Sequence, residues 1–375
     1  MNVNPELYHW ALERSGLSVV SLARKFPKLA DWQAGRSAPT LRQLESLARS
    51  TWTPLGYFFL PEPPVEELGL TDFRTMSDRP VARPSPNLLD TVFAMRRRQE
   101  WLREELTDQG QSPLPFVGSI SATHSPEQLA GEIRKALGLG EGWASKVPNW
   151  SEALRFLREA AEDAGILVVF NGVVGNDTTR KLQPEEFRGF VLVDEYAPLI
   201  FVNGADAKSA QMFTLAHELA HVWIGQGGIF DLPDLRASDA PSERLCNRAA
   251  AELLVTAKEF AAFWPQIGHS GEPFEAAARH FKVSPIVAAR RAFDLGFVER
   301  DRFLRFLRQN QARERLKGHS PGGNFFNNQN VRVGKRFARA VARAAQNGRL
   351  LYRDAYRLTG LYGSTFDKYL SQVGD

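Results

Sequence analysis

Residues 214–225 read Thr-Leu-Ala-His-Glu-Leu-Ala-His-Val-Trp-Ile-Gly, and the spacing of their polar side chains decides how the rest of the chain is read. His217 and His221 stand four residues apart, so on a helix they project from one face, with Glu218 beside them. Leu215, Ala216, Leu219, Ala220, Val222, Trp223 and Ile224 fill the remaining positions, which predicts a helix buried on all sides. Polar groups on such a helix need partners. The HExxH pattern supplies one: two imidazoles grip a single zinc ion while the glutamate faces the attacking water, the chemistry of a zinc peptidase. The plainer reading, a pair of core histidines satisfied within the protein, has to arise by chance in a chain with seven histidines among 375 residues.

A zinc site needs a third protein ligand. The extended pattern HExxHxxGxxH fails, because Ile224 stands where its glycine would be and Gly227 where its third histidine would be. An acid downstream is therefore expected. Gly225, Gly227 and Gly228 end the motif helix, a polar loop DLPDLRASD (231–239) follows, and a second helical pattern begins near Pro241 with ERLCNRAAAELLVTAKEF (243–260). We read Glu243 as the third ligand and Asn247, four residues on, as the partner that orients a ligand histidine through its other ring nitrogen. Two alternatives stay open: Glu243 as a carboxylate favoured by the helix dipole, and Glu252 as the ligand in its place. Cys246 falls near the same face and reads as a small buried apolar residue. Glu218 is then the expected general base, taking a proton from the attacking water and passing it to the leaving amine. Tyr196, His280 and Arg290 are candidates for an oxyanion donor, each with a structural role as its alternative. Zinc is the expected metal, although Mn2+ or Fe2+ also suits two histidines and a carboxylate.

Upstream, Val- and Ile-rich runs predict three strands, GILVVFN (165–171), RGFVLVDE (188–195) and PLIFVNG (198–204), the last two joined at Tyr196-Ala197-Pro198. PLIFVNG runs into the motif helix and is one candidate for the sheet edge on which a substrate backbone would lie. Helices are expected at about 88–106, with Arg96, Arg97, Arg98 and Arg103 on a polar face, and at 126–137 and 151–164. Downstream, PFEAAARHFKVSPIVAARRAFDLGFV (273–298) predicts two helices split at Val283-Ser284-Pro285, with Ser284 as N-cap.

Composition bounds the rest. With 43% apolar and 24% charged residues the chain is ordinary for a soluble globular protein of two or three domains. It has no long apolar run, its N-terminus lacks a signal pattern, and Cys246 is its one cysteine; a cytoplasmic protein without a membrane partner is expected. Charge is uneven. Residues 300–375 hold 16 Lys and Arg against 5 Asp and Glu, whereas residues 1–299 hold 31 against 38. That basic tail, with two or three helices after a Gly- and Asn-rich linker (319–330), could engage nucleic acid or an acidic partner, or present a solvated arginine face.

The first sixty residues read as short helices. In LADWQAGRSAPTLRQLESLA (29–48), Trp32, Gly35, Pro39, Thr40, Leu44, Leu47 and Ala48 resemble the Xre-type helix-turn-helix. Only Pro27 and Lys28 separate the second and third helical pieces, where the DNA-binding form has a longer turn and a full recognition helix. Lys25, Lys28, Gln33 and Arg36 are the candidate nucleic-acid contacts; protein docking and a purely structural role are the alternatives. Residues 61–90 are proline-rich and read as an extended connector.

Together, IFVNG (200–204), the His217–His221 motif, Glu243–Leu254 and the Phe281–Ser284 segment resemble the ImmA/IrrE family of metallopeptidases over about residues 150–300. With the Xre-like front and the DFRT connector (Asp72–Thr75), the chain is similar to the long subgroup that joins both modules; Val255-Thr256 departs from the usual Met-Pro. The resemblance implies an α+β, mainly helical protein. Its expected parts are an Xre-like helix-turn-helix bundle (1–60), a connector and helical region (61–150), a zincin-like domain with a small three-stranded sheet and the HExxH helix (151–300), and a basic helical C-terminal region (301–375). It further implies a gluzincin-like zinc endopeptidase that cleaves a transcriptional repressor, itself a helix-turn-helix protein, in a DNA-damage, phage, mobile-element or other stress response. The rival expectation is a DNA-binding regulator or antitoxin whose metal site is structural or vestigial. DNA contact would come through the N-terminal domain or the basic tail.

Overall fold

The computed structural model describes residues 3–66, 84–121, 123–230, 241–314 and 331–373. Two compact units divide the chain: Met1–Gly69 with Ser77–Phe93, and Leu70–Met76 with Ala94–Asp375.

The first unit is built of short helices, three of which are started by a side-chain cap. They are α1 (Pro5–Ser15), α2 (Val19–Lys25), α3 (Leu29–Gln33), α4 (Leu41–Ser50) and a 3-10 turn (Leu55–Phe59). Asn4 and Ser18 cap the first two, and Thr40 forms a reciprocal capping box with Gln43, which satisfies two backbone donors at the entry to α4. Leu7, Leu29, Leu44 and Leu47 are buried with Tyr8, whose ring lies 6.4 Å from Trp32 and 6.0 Å from Phe58. Arg14 is buried too, and its guanidinium binds Glu66 and the carbonyl of Trp52. The shortened third helix expected from the sequence is five residues long.

The second unit centres on a four-stranded sheet in the order β1-β5-β4-β6. The three expected strands are β1 (Leu167–Asn171), β4 (Gly189–Leu192) and β5 (Leu199–Asn203), and the short β6 (Gly228–Phe230) extends them. β1 runs parallel to β5 with Leu167 opposite Leu199, and β4 is antiparallel to both β5 and β6. PLIFVNG is therefore interior, not an edge: β5 has a neighbour on each side, and β6 is the edge beside β4. A separate hairpin, β2 (Val173–Val174) with β3 (Asp177–Lys181), was not foreseen.

Helices cover the sheet. The motif helix α8 (Lys208–Ile224) packs on β4 and β5 and against α7 (Trp150–Asp163), α6 (Pro126–Ala136) and α9 (Pro241–Leu254). α8 is buried from Gln211 to Trp223, as its unbroken apolar composition requires. The long pattern after Pro241 is broken at Val255, because Thr256 caps a new helix, α10 (Ala257–Ile267), through the Glu259 N–H. α11 (Pro273–Phe281) and α12 (Pro285–Asp294) follow, and Ser284 caps α12 as expected. α13 (Arg300–Glu314), α14 (Lys335–Gln346), α15 (Tyr352–Thr359) and α16 (Gly363–Val373) complete the chain. α5 (Pro86–Asp108) corrects one expectation: Arg98 is buried rather than on a polar face, donating to the carbonyls of Leu358 (2.8 Å) and Arg332 (2.9 Å). Most of the connector at 61–90, the DFRT segment, the DLPDLRASD loop and the linker at 319–330 lie outside the described residues.

Candidate metal centre

One turn of α8 brings His217 directly above His221, and α9 crosses that face with its first turn, which carries Glu243. The two Nε2 atoms are 3.0 Å apart; Glu243 Oε2 is 3.3 Å from His217 Nε2 and Oε1 is 3.1 Å from His221 Nε2. All three residues are buried and form a potential metal site. Zinc bonds of about 2.0–2.1 Å in tetrahedral array place donor atoms about 3.3 Å apart, so this triangle of two imidazoles and a carboxylate has the right size and donor chemistry.

The electrostatics favour a neutral donor at His217 and not at His221: burial would lower the His221 ring, but Cys246 and Glu243 beside it outweigh burial and raise it well above its ordinary value. Burial lowers the His217 ring to about 4, leaving it neutral and available as a donor near pH 7. Burial alone would raise Glu243, but the hydrogen bonds and charges of His217 and His221 outweigh it and hold the carboxyl well below the usual range. Asn247 lies one turn along α9 from Glu243, close enough to act on the His217 ring, and its Oδ1 is buried without a hydrogen-bond partner among the described residues. Cys246 touches His221 through its side chain, yet burial pushes its thiol up, so it stays protonated.

Glu218 is the unusual group. It is fully buried, neither carboxylate oxygen has a hydrogen-bond partner among the described residues, and burial pushes its carboxyl up to about 8. An unsatisfied buried carboxyl costs several kcal/mol in order of magnitude, so it marks a place where something else is bound. Gly189 at the start of β4 makes room for it. A Cβ there would stand 2.6 Å from Thr214 Cγ2, 2.9 Å from the Phe201 carbonyl oxygen and 3.1 Å from Glu218 Oε1. The sequence reading missed this glycine, although a glycine opening an apolar strand is itself a sign of close approach.

The other candidates fall elsewhere. Glu252, the second candidate ligand, forms a buried ion pair with Arg291 and accepts the Ala257 N–H at 3.0 Å, so its carboxylate is already used. His280 stacks on Phe263 at 3.9 Å and Arg290 pairs with Asp294, which gives both a structural part. Tyr196 lies in the turn organised by Asp194, which accepts the N–H groups of Tyr196 and Ala197. In the first unit, Lys25 donates to Ser50, Gln33 bonds His9 and Arg36 pairs with Asp31, while Lys28 stands exposed ahead of α3. Three of the four candidate nucleic-acid contacts thus direct their polar atoms at neighbours in their own bundle.

Residues 333–372 match a domain of unknown function (DUF8813), and neither family match reaches residues 1–60. No curated protein matches the chain. Residues 161–293, which carry His217, Glu218, His221 and Glu243, match the IrrE N-terminal-like domain, a peptidase family, and this supports the ImmA/IrrE resemblance for that part of the chain.

Proposed function

We propose that this protein is a zinc-dependent endopeptidase acting on a regulatory protein, in the first place a helix-turn-helix transcriptional repressor, during a stress, phage or mobile-element response. One observation carries the reading: a buried triangle of two imidazole nitrogens and a carboxylate lies beside a second carboxyl, Glu218, that has no hydrogen-bond partner among the described residues. A purely structural metal site needs the triangle but gives no reason to bury Glu218 unpaired. Zinc, held by His217, His221 and Glu243, would polarise the scissile carbonyl. Once ionised, which the charge of a bound metal would favour against the burial that raises its carboxyl, Glu218 takes the proton from the attacking water and delivers it to the leaving amine; in that role its partners are the water and the substrate. Asn247 keeps the His217 ring oriented. The family match supports peptidase chemistry, and the repressor substrate follows from the resemblance alone.

The test is co-expression with helix-turn-helix regulators encoded beside the gene, alongside a measurement of bound zinc. Wild type is expected to cleave one of them, and Glu218→Gln to abolish cleavage, on the order of 10²–10⁴-fold, with zinc content unchanged. If the zinc-loaded wild type cleaves none while it still occupies a promoter, the protein is a regulator with a structural metal site.

A further inference from the structure

Residues 335–373 contain eight Lys and Arg against two Asp and fold as the three helices α14, α15 and α16. Gly360, Leu361 and Tyr362 alone separate α15 from α16. Gly360 is left-handed, with φ 70°, and donates its N–H to the Tyr356 carbonyl to close α15; Gly363 opens α16 at φ 51°. Two short helices joined by a three-residue glycine turn are the spacing of a helix-turn-helix. The inside of the turn is filled as that motif requires. Ala355, Thr359, Leu361, Phe366, Tyr369 and Leu370 are buried, the Phe366 ring lies against Tyr352 and Tyr356, and α14 packs on both following helices.

Apart from the half-buried Arg336, the cations divide into two sets. Lys335 pairs with Glu159 and Arg349 with Glu105, which fastens the helices to the rest of their unit. Arg339, Arg343, Arg353, Arg357 and Lys368 are exposed. Of these, Arg353 and Arg357 make only loose surface pairs with Asp354, at 3.5 and 3.8 Å. α16 shows solvent Ser364, Asp367, Lys368 and Ser371, short or flexible polar groups, one of them acidic, spread along the helix, and Tyr362 of the turn is 66% exposed. Small polar side chains on the second helix with arginines on the first are the arrangement in which one helix reads base edges and the other contacts phosphates.

We infer that α14–α16 form a helix-turn-helix that binds duplex DNA, with α16 in the major groove and Arg353 and Arg357 on the phosphate backbone. This is independent of peptidase activity and moves the DNA contact from the front of the chain to its end, where the third helix has eleven residues rather than five. An acidic protein would also attract arginines, but it would not call for the glycine turn or for the exposed serines of α16.

The experiment uses the full-length, zinc-supplemented protein and fluorescence anisotropy of a labelled random-sequence duplex of about thirty base pairs. Three or four phosphate contacts predict affinity falling on the order of a hundredfold between about 50 and 200 mM salt. Arg353→Glu with Arg357→Glu, and separately Lys368→Glu, should each weaken binding at least about tenfold and flatten the salt dependence, with helical content and melting unchanged because these side chains are exposed. The charge-matched pair Lys146→Glu with Lys258→Glu should bind as wild type does. The inference is overturned if wild type fails to bind duplex at the lower salt, or if the α15 and α16 variants bind normally while Lys25→Glu with Lys28→Glu does not. It is equally overturned if single-stranded RNA or an acidic polypeptide binds more tightly than duplex and is lost in the same variants.

Discussion

Glu243 and Glu252 lie on one helix among small apolar neighbours, and their surroundings separate them. Glu243 faces two imidazoles, whereas Glu252 faces a guanidinium and a backbone N–H. Glu243→Gln should therefore lose bound zinc while the fold survives, and Glu252→Gln should keep zinc but lower stability, on the order of 3–5 kcal/mol, because Arg291 is left as a buried, unpaired cation. Metal analysis and denaturant melts of the two variants check both halves. Gly189→Ala tests the space beside Glu218: the added carbon meets the Phe201 carbonyl as well as two side chains, so a loss of about 1–3 kcal/mol is expected, together with reduced cleavage. The metal cluster was legible in the sequence because helix geometry fixes what four-residue spacing means. Gly189 was not, since its importance depends on β4 lying against α8, and strand order is absent from a sequence. Arg98 was misread for a related reason: its acceptors are carbonyls 234 and 260 residues away.

The helices and the three main strands were legible because each has an apolar face or run that only burial satisfies, and caps such as Ser284 and Thr40 mark their starts. The β2–β3 hairpin escaped because DTTRK is polar and exposed; the Gly175-Asn176 turn was its one cue. Where α14 meets α7, burial raises the Glu162 carboxyl from 4.5 to about 7, against the lowering charge of Arg158, while its Oε1 accepts the Lys335 N–H at 3.0 Å. A carboxyl raised by folding stabilises the native state fully below about pH 4.5, and this contribution is lost as pH rises through about 7. Wild type should accordingly lose about 3 kcal/mol from this group between pH 5 and 8, by the order-of-magnitude conversion of such a shift. Glu162→Gln, which retains the acceptor, should flatten that stretch of the curve of melting temperature against pH.

A metal held by His217, His221 and Glu243 would link metal to fold across the second unit, because α8 and α9 are both core helices and both supply candidate donors. Chelation should lower the melting temperature: a ligand present at a thousandfold its dissociation constant contributes about 4 kcal/mol, and Glu243→Gln should be insensitive to the chelator. At this scale the sequence conveyed the parts, a buried motif helix and a charged tail, but not how the tail is anchored, since the anchoring rests on single residues such as Arg98, Glu105 and Glu162 far upstream. Arg98 sets an order of events during synthesis. Its guanidinium waits for the carbonyl of Leu358, 260 residues later, which at about 5–20 residues per second takes on the order of tens of seconds to emerge. The region around His217, His221 and Glu243 leaves the ribosome well before then, so a nascent chain can bring the candidate metal ligands together while the helices after residue 335 do not yet exist.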